Sequence, residues 1–137
     1  LGDWSLVNNA MYSCTNGLRI RTDDVSMTGD LFGVTALDED FTPINQMIKY
    51  YKFGFGRTTD YVNEEIRLGR INREQGIELV KAYDHKCSPN YIADYCNYLG
   101  IDIQFFWDKV REATNKDLFD VCIDGSINPR FTVGVGL

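Results

Sequence analysis

A single histidine, His85, occurs in the 137 residues. No histidine pair or triad can form within the chain. Its place in Asp84-His85-Lys86, after a helix end, suits a surface or C-cap histidine favoured by the helix dipole. Acid–base work is the lesser reading. The four cysteines, Cys14, Cys87, Cys96 and Cys122, are widely and irregularly spaced. No C-x-x-C pair exists, which excludes a zinc ribbon and a thioredoxin-type motif. They read as reduced, mostly buried thiols of a cytoplasmic protein, against a rival of one or two bridges in an exported one. Positive charge is also short. The formal net charge is -6, against the basic face that a general nucleic-acid binder needs. No stretch approaches the roughly 18 apolar residues of a membrane span. No signal-peptide pattern opens the sequence. Nothing resembles a nucleophile elbow, a Walker loop or a zinc helix.

What is present is ordinary in balance and rich in rings. The chain is 44% hydrophobic and 25% charged, with 8 Tyr, 8 Phe and 2 Trp. It can build one domain's core without disulfide staples. It opens at Leu1 rather than at a methionine, which fits a fragment or a chain with its front removed.

Three segments differ in texture. Residues 1–40 are rich in Gly, Asn, Thr, Ser and Asp, and read as an irregular lead-in with one short helix or strand pair. Leu18-Arg19-Ile20 is a candidate strand. So long an irregular stretch points to a functional loop or a piece packed on something outside this chain. Residues 41–115 carry helical periodicity and predict a compact bundle of about five short helices, so the fold class is mainly α. Phe41, Ile44, Met47, Ile48 and Tyr51 line one face. Thr42 suits a cap and Pro43 a first turn, and Gly54 ends the helix. The second helix begins near Thr59. Tyr61, Val62, Ile66 and Leu68 supply its buried side, Glu64 and Glu65 face out, and Gly69 follows its end. Asn72 and Gln75 make a capping-box spacing for the third helix, with Ile77, Val80 and Tyr83 as its apolar side. Ser88-Pro89 starts the fourth, which carries Tyr91, Ile92, Tyr95, Cys96 and Leu99 and stops at Gly100. Asp102 caps the fifth, with Phe105, Phe106, Trp107 and Val110. Residues 116–137 predict a β-hairpin: LFDVCI, a turn around Asp124-Gly125, then RFTVGVGL.

The run Lys52-Phe53-Gly54-Phe55-Gly56-Arg57-Thr58-Thr59-Asp60 has the local chemistry of an anion site. Glycines let a backbone approach a ligand, and a helix N-terminus offers unpaired N–H groups. Arg57 is a planar fork suited to phosphate or carboxylate. The candidate ligand residues are Lys52, Gly54, Gly56, Arg57, Thr58 and Thr59. The competing reading is a turn between packed helices, with Arg57 solvated or in a structural ion pair. Asp38-Glu39-Asp40 read as solvated helix-terminal acids, or as aids to a metal site without specific spacing. No catalytic or metal-ligating set stands out.

From about Thr28 to about Lys109 the chain resembles the C-terminal part of the N-acetyl sugar amidotransferases of surface-polysaccharide biosynthesis. TGDLFGVTALDEDF leading into MIKYYKFGFGRTTDYVNEEIR carries the resemblance, with LGRINREQGIELVKAYD next and YCNYLGIDIQFFWDKV after it. That family is of the PP-loop ATP-pyrophosphatase group. The resemblance implies adenylation of the acetamido oxygen of an N-acetylated, nucleotide-activated sugar or sugar acid, then its replacement by nitrogen to give an acetamidino group. It implies ATP and Mg²⁺ as cofactors, the metal offsetting phosphate charge. It also implies a glutaminase partner supplying ammonia. The family's Ser-Gly-Gly-x-Asp-Ser PP-loop is absent from these residues, so the chain is expected to be the back part of a larger α/β enzyme, without ATP turnover alone. Two alternatives stand beside this: a non-catalytic helical module docking a partner subunit, and, more remotely, an unrelated helical domain with an occluded loop and Arg57 paired internally. Exposed aromatic surface left by a missing domain also suits a homodimer.

Overall fold

The computed structural model describes residues 4–136. Helix α1 spans Leu6–Thr15, α2 Val25–Thr28, α3 Thr42–Phe53, α4 Arg57–Arg67, α5 Arg73–Tyr83, α6 Pro89–Leu99 and α7 Ile103–Ala113. Strands β1 (Phe119–Val121) and β2 (Ile127–Pro129) follow. The protein is mainly helical and ends in an antiparallel hairpin, with Phe119 opposite Pro129 and Val121 opposite Ile127.

The core is made where α3, α6 and α7 meet. Ile44 and Met47 of α3 pack with Ile92 and Cys96 of α6 and Phe106 and Val110 of α7. Each pair lies three or four residues apart, so each helix presents one stripe inward. Helices α4 and α5 pack against each other beside this core. A Cβ on Gly76 of α5 would lie 2.6 Å from Val62 Cγ1 of α4, so the missing side chain sets their close approach. The hairpin is anchored by Phe119, 1% exposed, whose ring meets Tyr50 at 5.3 Å and Phe131 at 5.5 Å. An isolated two-stranded hairpin is marginal in water, and this aromatic cluster supplies what it lacks.

Several helix boundaries follow their local chemistry. Asn72 and Gln75 form a reciprocal capping box. The Ser88 hydroxyl accepts from Asn90 N–H ahead of Pro89. Gly54 and Gly100 end α3 and α6 in the left-handed conformation. Other expectations need correction. Helix α4 starts at Arg57, two residues before Thr59. The α3 cap is Phe41, not Thr42. No side chain caps its first-turn N–H groups; Glu39, ahead of the helix, instead accepts from Phe41 N–H at 2.6 Å and from the Thr42 hydroxyl.

Glu65 does not face out. It is buried and held by Arg70 at 3.0 Å. The second strand is Ile127–Pro129 rather than RFTVGVGL. Within that segment Thr132 bridges to Gly136 as a small turn of its own, and Leu137 lies outside the described residues.

The N-terminal segment is more helical than its composition predicts. Helix α1 runs ten residues from a Ser5 cap whose hydroxyl accepts from Asn8 N–H at 2.9 Å. Only Ala10 of the helix is buried, so no apolar stripe announces it. Polar ties hold it to α4 and its end: Leu6 N–H donates to Glu64 Oε2 at 3.2 Å and Arg70 Nη2 to Asn8 Oδ1 at 2.6 Å. Leu18–Ile20 is not a strand.

Candidate functional site

The turn joining α3 to α4 is built for one geometry. Gly54 closes α3 at φ 79°, its N–H on Tyr50 O at 2.8 Å. Gly56 is the N-cap of α4. A Cβ there would stand 2.4 Å from the backbone oxygen of Asp84, so only glycine fits without a shift.

That contact brings Asp84, the C-cap residue of α5, to the N-terminus of α4. Asp84 is 4% exposed. Its Oδ2 accepts from Gly56 N–H at 2.8 Å and from the Thr59 hydroxyl at 2.7 Å. Its Oδ1 accepts from Thr59 N–H at 2.9 Å. The unpaired donors that a helix N-terminus offers an anion are therefore met by an internal carboxylate. Thr58 is fully buried, and its hydroxyl donates to Gly29 O at 2.8 Å. Lys52 is exposed at the end of α3, its ammonium 5.6 Å from the Phe53 ring centre.

Of the six candidate residues, Gly54, Gly56, Thr58 and Thr59 thus shape the turn, and Lys52 lies apart in solvent. Arg57 has a different environment. It occupies the first position of α4 with its guanidinium 6.0 Å from the Tyr61 ring centre. Its Nε is buried without a hydrogen-bond partner. Among the described residues the Arg57 guanidinium forms neither a hydrogen bond nor an ion pair. In a chain of net charge -6, an unpaired, half-buried guanidinium is costly unless something else answers it.

Arg57 borders a cleft between the N-terminal turns of α3 and α4 and the loop from Thr28 to Thr35. Asp30 ties that loop. Its Oδ1 accepts from Phe32 and Gly33 N–H at 3.1 and 3.0 Å, and its Oδ2 from the Thr35 hydroxyl at 2.9 Å. Phe32 sits edge-on to Tyr61 at 5.1 Å. Burial pushes the Tyr61 phenol well above its ordinary pKa, with the Thr35 hydroxyl and the Arg57 charge pulling the other way. Arg21 forms the far wall, but its fork is spent on Asp40 at 2.8 Å and on the backbone oxygens of Ala36 and Glu39. Asp40 and Glu39 thus serve Arg21 and the start of α3. Among the described residues, no group of three or more His, Cys, Asp or Glu could hold a metal ion.

Two members of this site were not singled out from the sequence. Asp84 looked like the end of a helix, and only the fold brings it to Gly56. Gln46 lies on α3 next to the apolar stripe, and its Oε1 is also buried without a partner in the same cleft. His85 is elsewhere. It is half-buried, its ring 5.8 Å from Tyr50, rather than a surface residue. Burial lowers its pKa, aided by Lys86.

A family model described as LPS biosynthesis protein WbpG-like, C-terminal domain, matches residues 32–123, about two thirds of the chain. No curated protein and no solved structure matches at a significant level. The matched segment contains α3 to α7, β1, the Gly54–Arg57 turn and Asp84.

Proposed function

Because the chain belongs to the WbpG-like C-terminal domain family of LPS biosynthesis proteins, we propose that it is the C-terminal region of an ATP-dependent amidotransferase in that biosynthesis. The reaction converts the N-acetyl group of an activated sugar to an acetamidino group. An amide oxygen is a poor leaving group. Transfer of adenylate from ATP to that oxygen releases pyrophosphate and makes it a good one. Ammonia, supplied by a glutaminase subunit, then attacks the carbon, and AMP departs with the oxygen.

The observation that supports a ligand role for this region is Arg57. The turn fixes its backbone through Gly56 and Asp84, yet its guanidinium lies over the Tyr61 ring without a hydrogen bond or ion pair among the described residues. A rigidly mounted, unanswered fork is suited to an anionic substrate group such as the phosphates of ATP or of the sugar. In this reading the PP-loop and the cradle for ATP lie outside these 137 residues. Mg²⁺ travels with the nucleotide, and no residue of this chain is assigned to it.

A partner-docking role has one observation in its favour. Tyr98, Leu99, Ile103 and Phe105 are all exposed around the junction of α6 and α7, an apolar surface suited to a subunit contact.

The test uses full-length protein with ATP, ammonium and N-acetylated nucleotide sugar, following AMP and pyrophosphate. Sugar-dependent AMP release is expected. Arg57→Ala should lower kcat/KM roughly 10- to 100-fold, the loss of one charge-assisted contact of about 1.5–3 kcal/mol. Absence of sugar-dependent AMP rejects the amidotransferase, and an unchanged Arg57→Ala enzyme rejects the ligand role of the turn.

A further inference from the structure

A groove of about 410 Å³ lies between the start of α3 and α6, large enough to seat a side chain or two of a partner. Phe41, Ile44, Ile48 and Tyr95 give it an apolar lining, and Glu39 and Asn45 are polar members of its walls. Its rings form a run. Tyr95 stands edge-on to Phe41 at 5.1 Å, and Tyr98 meets Phe41 from the other side of the run at 5.6 Å. Tyr98 is 75% exposed. The Glu39 carboxylate is held in place, accepting from Phe41 N–H at 2.6 Å and from the Thr42 hydroxyl. A carboxylate has about four acceptor sites, so both oxygens keep capacity. Yet among the described residues Glu39 forms no ion pair. The cations of its neighbourhood are committed elsewhere. Arg21 is bound to Asp40 and to the backbone oxygens of Ala36 and Glu39. Lys49, next to Ile48 on α3, is paired with Asp60 at 2.7 Å.

We propose that this groove docks an arginine-bearing segment of a partner protein, the guanidinium lying among the Phe41, Tyr95 and Tyr98 rings and pairing with the Glu39 carboxylate. Charge and shape both select that occupant. A purely apolar segment seated here would take the Glu39 carboxylate out of water unpaired, which is costly. An acidic segment would add a like charge. A bare metal ion needs several oxygen ligands, and the apolar walls supply none. A guanidinium answers both halves of the site: its planar face stacks on rings and its fork suits a carboxylate. The apolar stem of the arginine covers Ile44 and Ile48, and the exposed Asn45 amide is placed to pair with a peptide backbone. The surroundings favour a basic partner over a second copy of this chain. Asp38, beside Glu39, and Asp94, beside Tyr95, are exposed and in no ion pair among the described residues. Two copies would each bring a net charge of -6, which opposes their approach. The inference gives the partner-docking reading a place and a chemistry, and does not rest on the amidotransferase reaction.

The probes are two dye-labelled, end-capped pentapeptides, Leu-Arg-Leu-Arg-Leu and its citrulline counterpart, which keeps nearly the same shape without the charge. Each is titrated with full-length protein by fluorescence anisotropy. Wild type should bind the arginine peptide at least about tenfold more tightly than the citrulline peptide. Glu39→Gln keeps an acceptor for Phe41 N–H and removes the charge, so the ratio should collapse towards unity. Tyr98→Ser changes a side chain that is mostly in solvent and should weaken the arginine peptide at least about threefold without loss of fold. Glu74→Gln removes the same charge from the exposed first turn of α5, outside the groove, and should leave the ratio as in wild type. Equal binding of the two peptides, or no binding of the arginine peptide, overturns the proposal. So does an equal loss in Glu39→Gln and Glu74→Gln, which would mark general attraction to an acidic chain. A concentration-dependent dimer in sedimentation that Glu39→Gln disperses would assign the groove to a second copy and overturn the partner. AMP release by a protein indifferent to the peptides rejects the groove and keeps the amidotransferase. Selective peptide binding without AMP release does the reverse.

Discussion

Asp84 holds Thr59 at both of that residue's donors: the backbone N–H on Oδ1 at 2.9 Å and the hydroxyl on Oδ2 at 2.7 Å. The two residues are 25 apart in sequence and tie the end of α5 to the start of α4. Because Asp84 is buried, these are bonds to a charged acceptor out of solvent, the stronger class. Asp84→Ala should lower unfolding free energy by about 3 kcal/mol, since Gly56 N–H and both Thr59 donors lose their partner. Thr59→Ala should cost about 1 kcal/mol. A double-mutant cycle by urea denaturation should give a coupling of about 1 kcal/mol or more. Additive losses would mean that the contact contributes little.

Gly56 tests the same junction from the other side. Its backbone lies at φ -124°, which any residue adopts, so conformational freedom is not the reason for glycine here. Space is. The added Cβ of Gly56→Ala meets a main-chain oxygen, Asp84 O, at 2.4 Å, and a main chain held by α5 cannot swing aside as a side chain does. The variant should lose about 2 kcal/mol or more. Gly76→Ala instead meets the side-chain ends of Val62 and Ile66 and should cost less. Equal urea midpoints for the two variants would contradict this ordering.

Arg70 links Glu65 of α4 to the start of α1. Arg70 Nη1 donates to Glu65 Oε1 at 3.0 Å, while Nη2 reaches Asn8 Oδ1 at 2.6 Å and Ser5 Oγ at 3.4 Å. Removing Arg70 leaves a buried carboxylate unpaired, which costs about 3 kcal/mol or more in comparable cases. Arg70→Ala should therefore destabilise more than Glu65→Gln. It should also raise hydrogen exchange at the amides of Leu6–Thr15 selectively. Uniform exchange across all helices would show that α1 is held by other contacts.

The parts of this fold that could be read from sequence are those whose causes are local. Capping by Asn72-x-x-Gln75 and Ser88-Pro89, and termination at Gly54 and Gly100, each depend on a few adjacent residues. Apolar stripes on α3 and α7 depend on spacing alone, although Phe105, read as part of the α7 stripe, is exposed. What could not be read has causes at long range. Glu65 sits on a helix face that looks polar until Arg70 returns over it. Helix α1 buries little and is held by side chains some sixty residues away. The second strand was misplaced because RFTVGVGL has stronger β character than INP, yet Phe119 sets the register by packing on Tyr50 and Phe131. At the candidate site, glycines ahead of a helix were legible as an anion cradle. That the anion would be Asp84 of this same chain was not, because nothing local links Asp84 to Gly56. The unpaired donor of Arg57 and acceptor of Gln46 are likewise properties of the assembled cleft.

Alkaline pH should weaken the fold through the buried Tyr50 and the half-buried Cys87. Burial pushes the Cys87 thiol from 9.0 up to about 12. It also pushes the Tyr50 phenol from 10.0 up to about 12, with the Asp84 charge adding to the rise. Both are neutral when protonated, and the folded state holds that proton more tightly than the unfolded one. Below about pH 9 both states are protonated and this stabilisation is fully present. Between about 9 and 12 the unfolded chain releases protons that the folded chain keeps, so stability falls as pH rises. Each group contributes a slope of up to about 1.4 kcal/mol per pH unit within its window. Urea midpoints at pH 8, 10 and 11 should therefore decline in wild type. Cys87→Ala lowers stability at pH 8 through lost packing, but its decline from pH 8 to 11 should be shallower than that of wild type. A parallel decline would mean that Cys87 ionises in the folded protein as readily as in the unfolded chain.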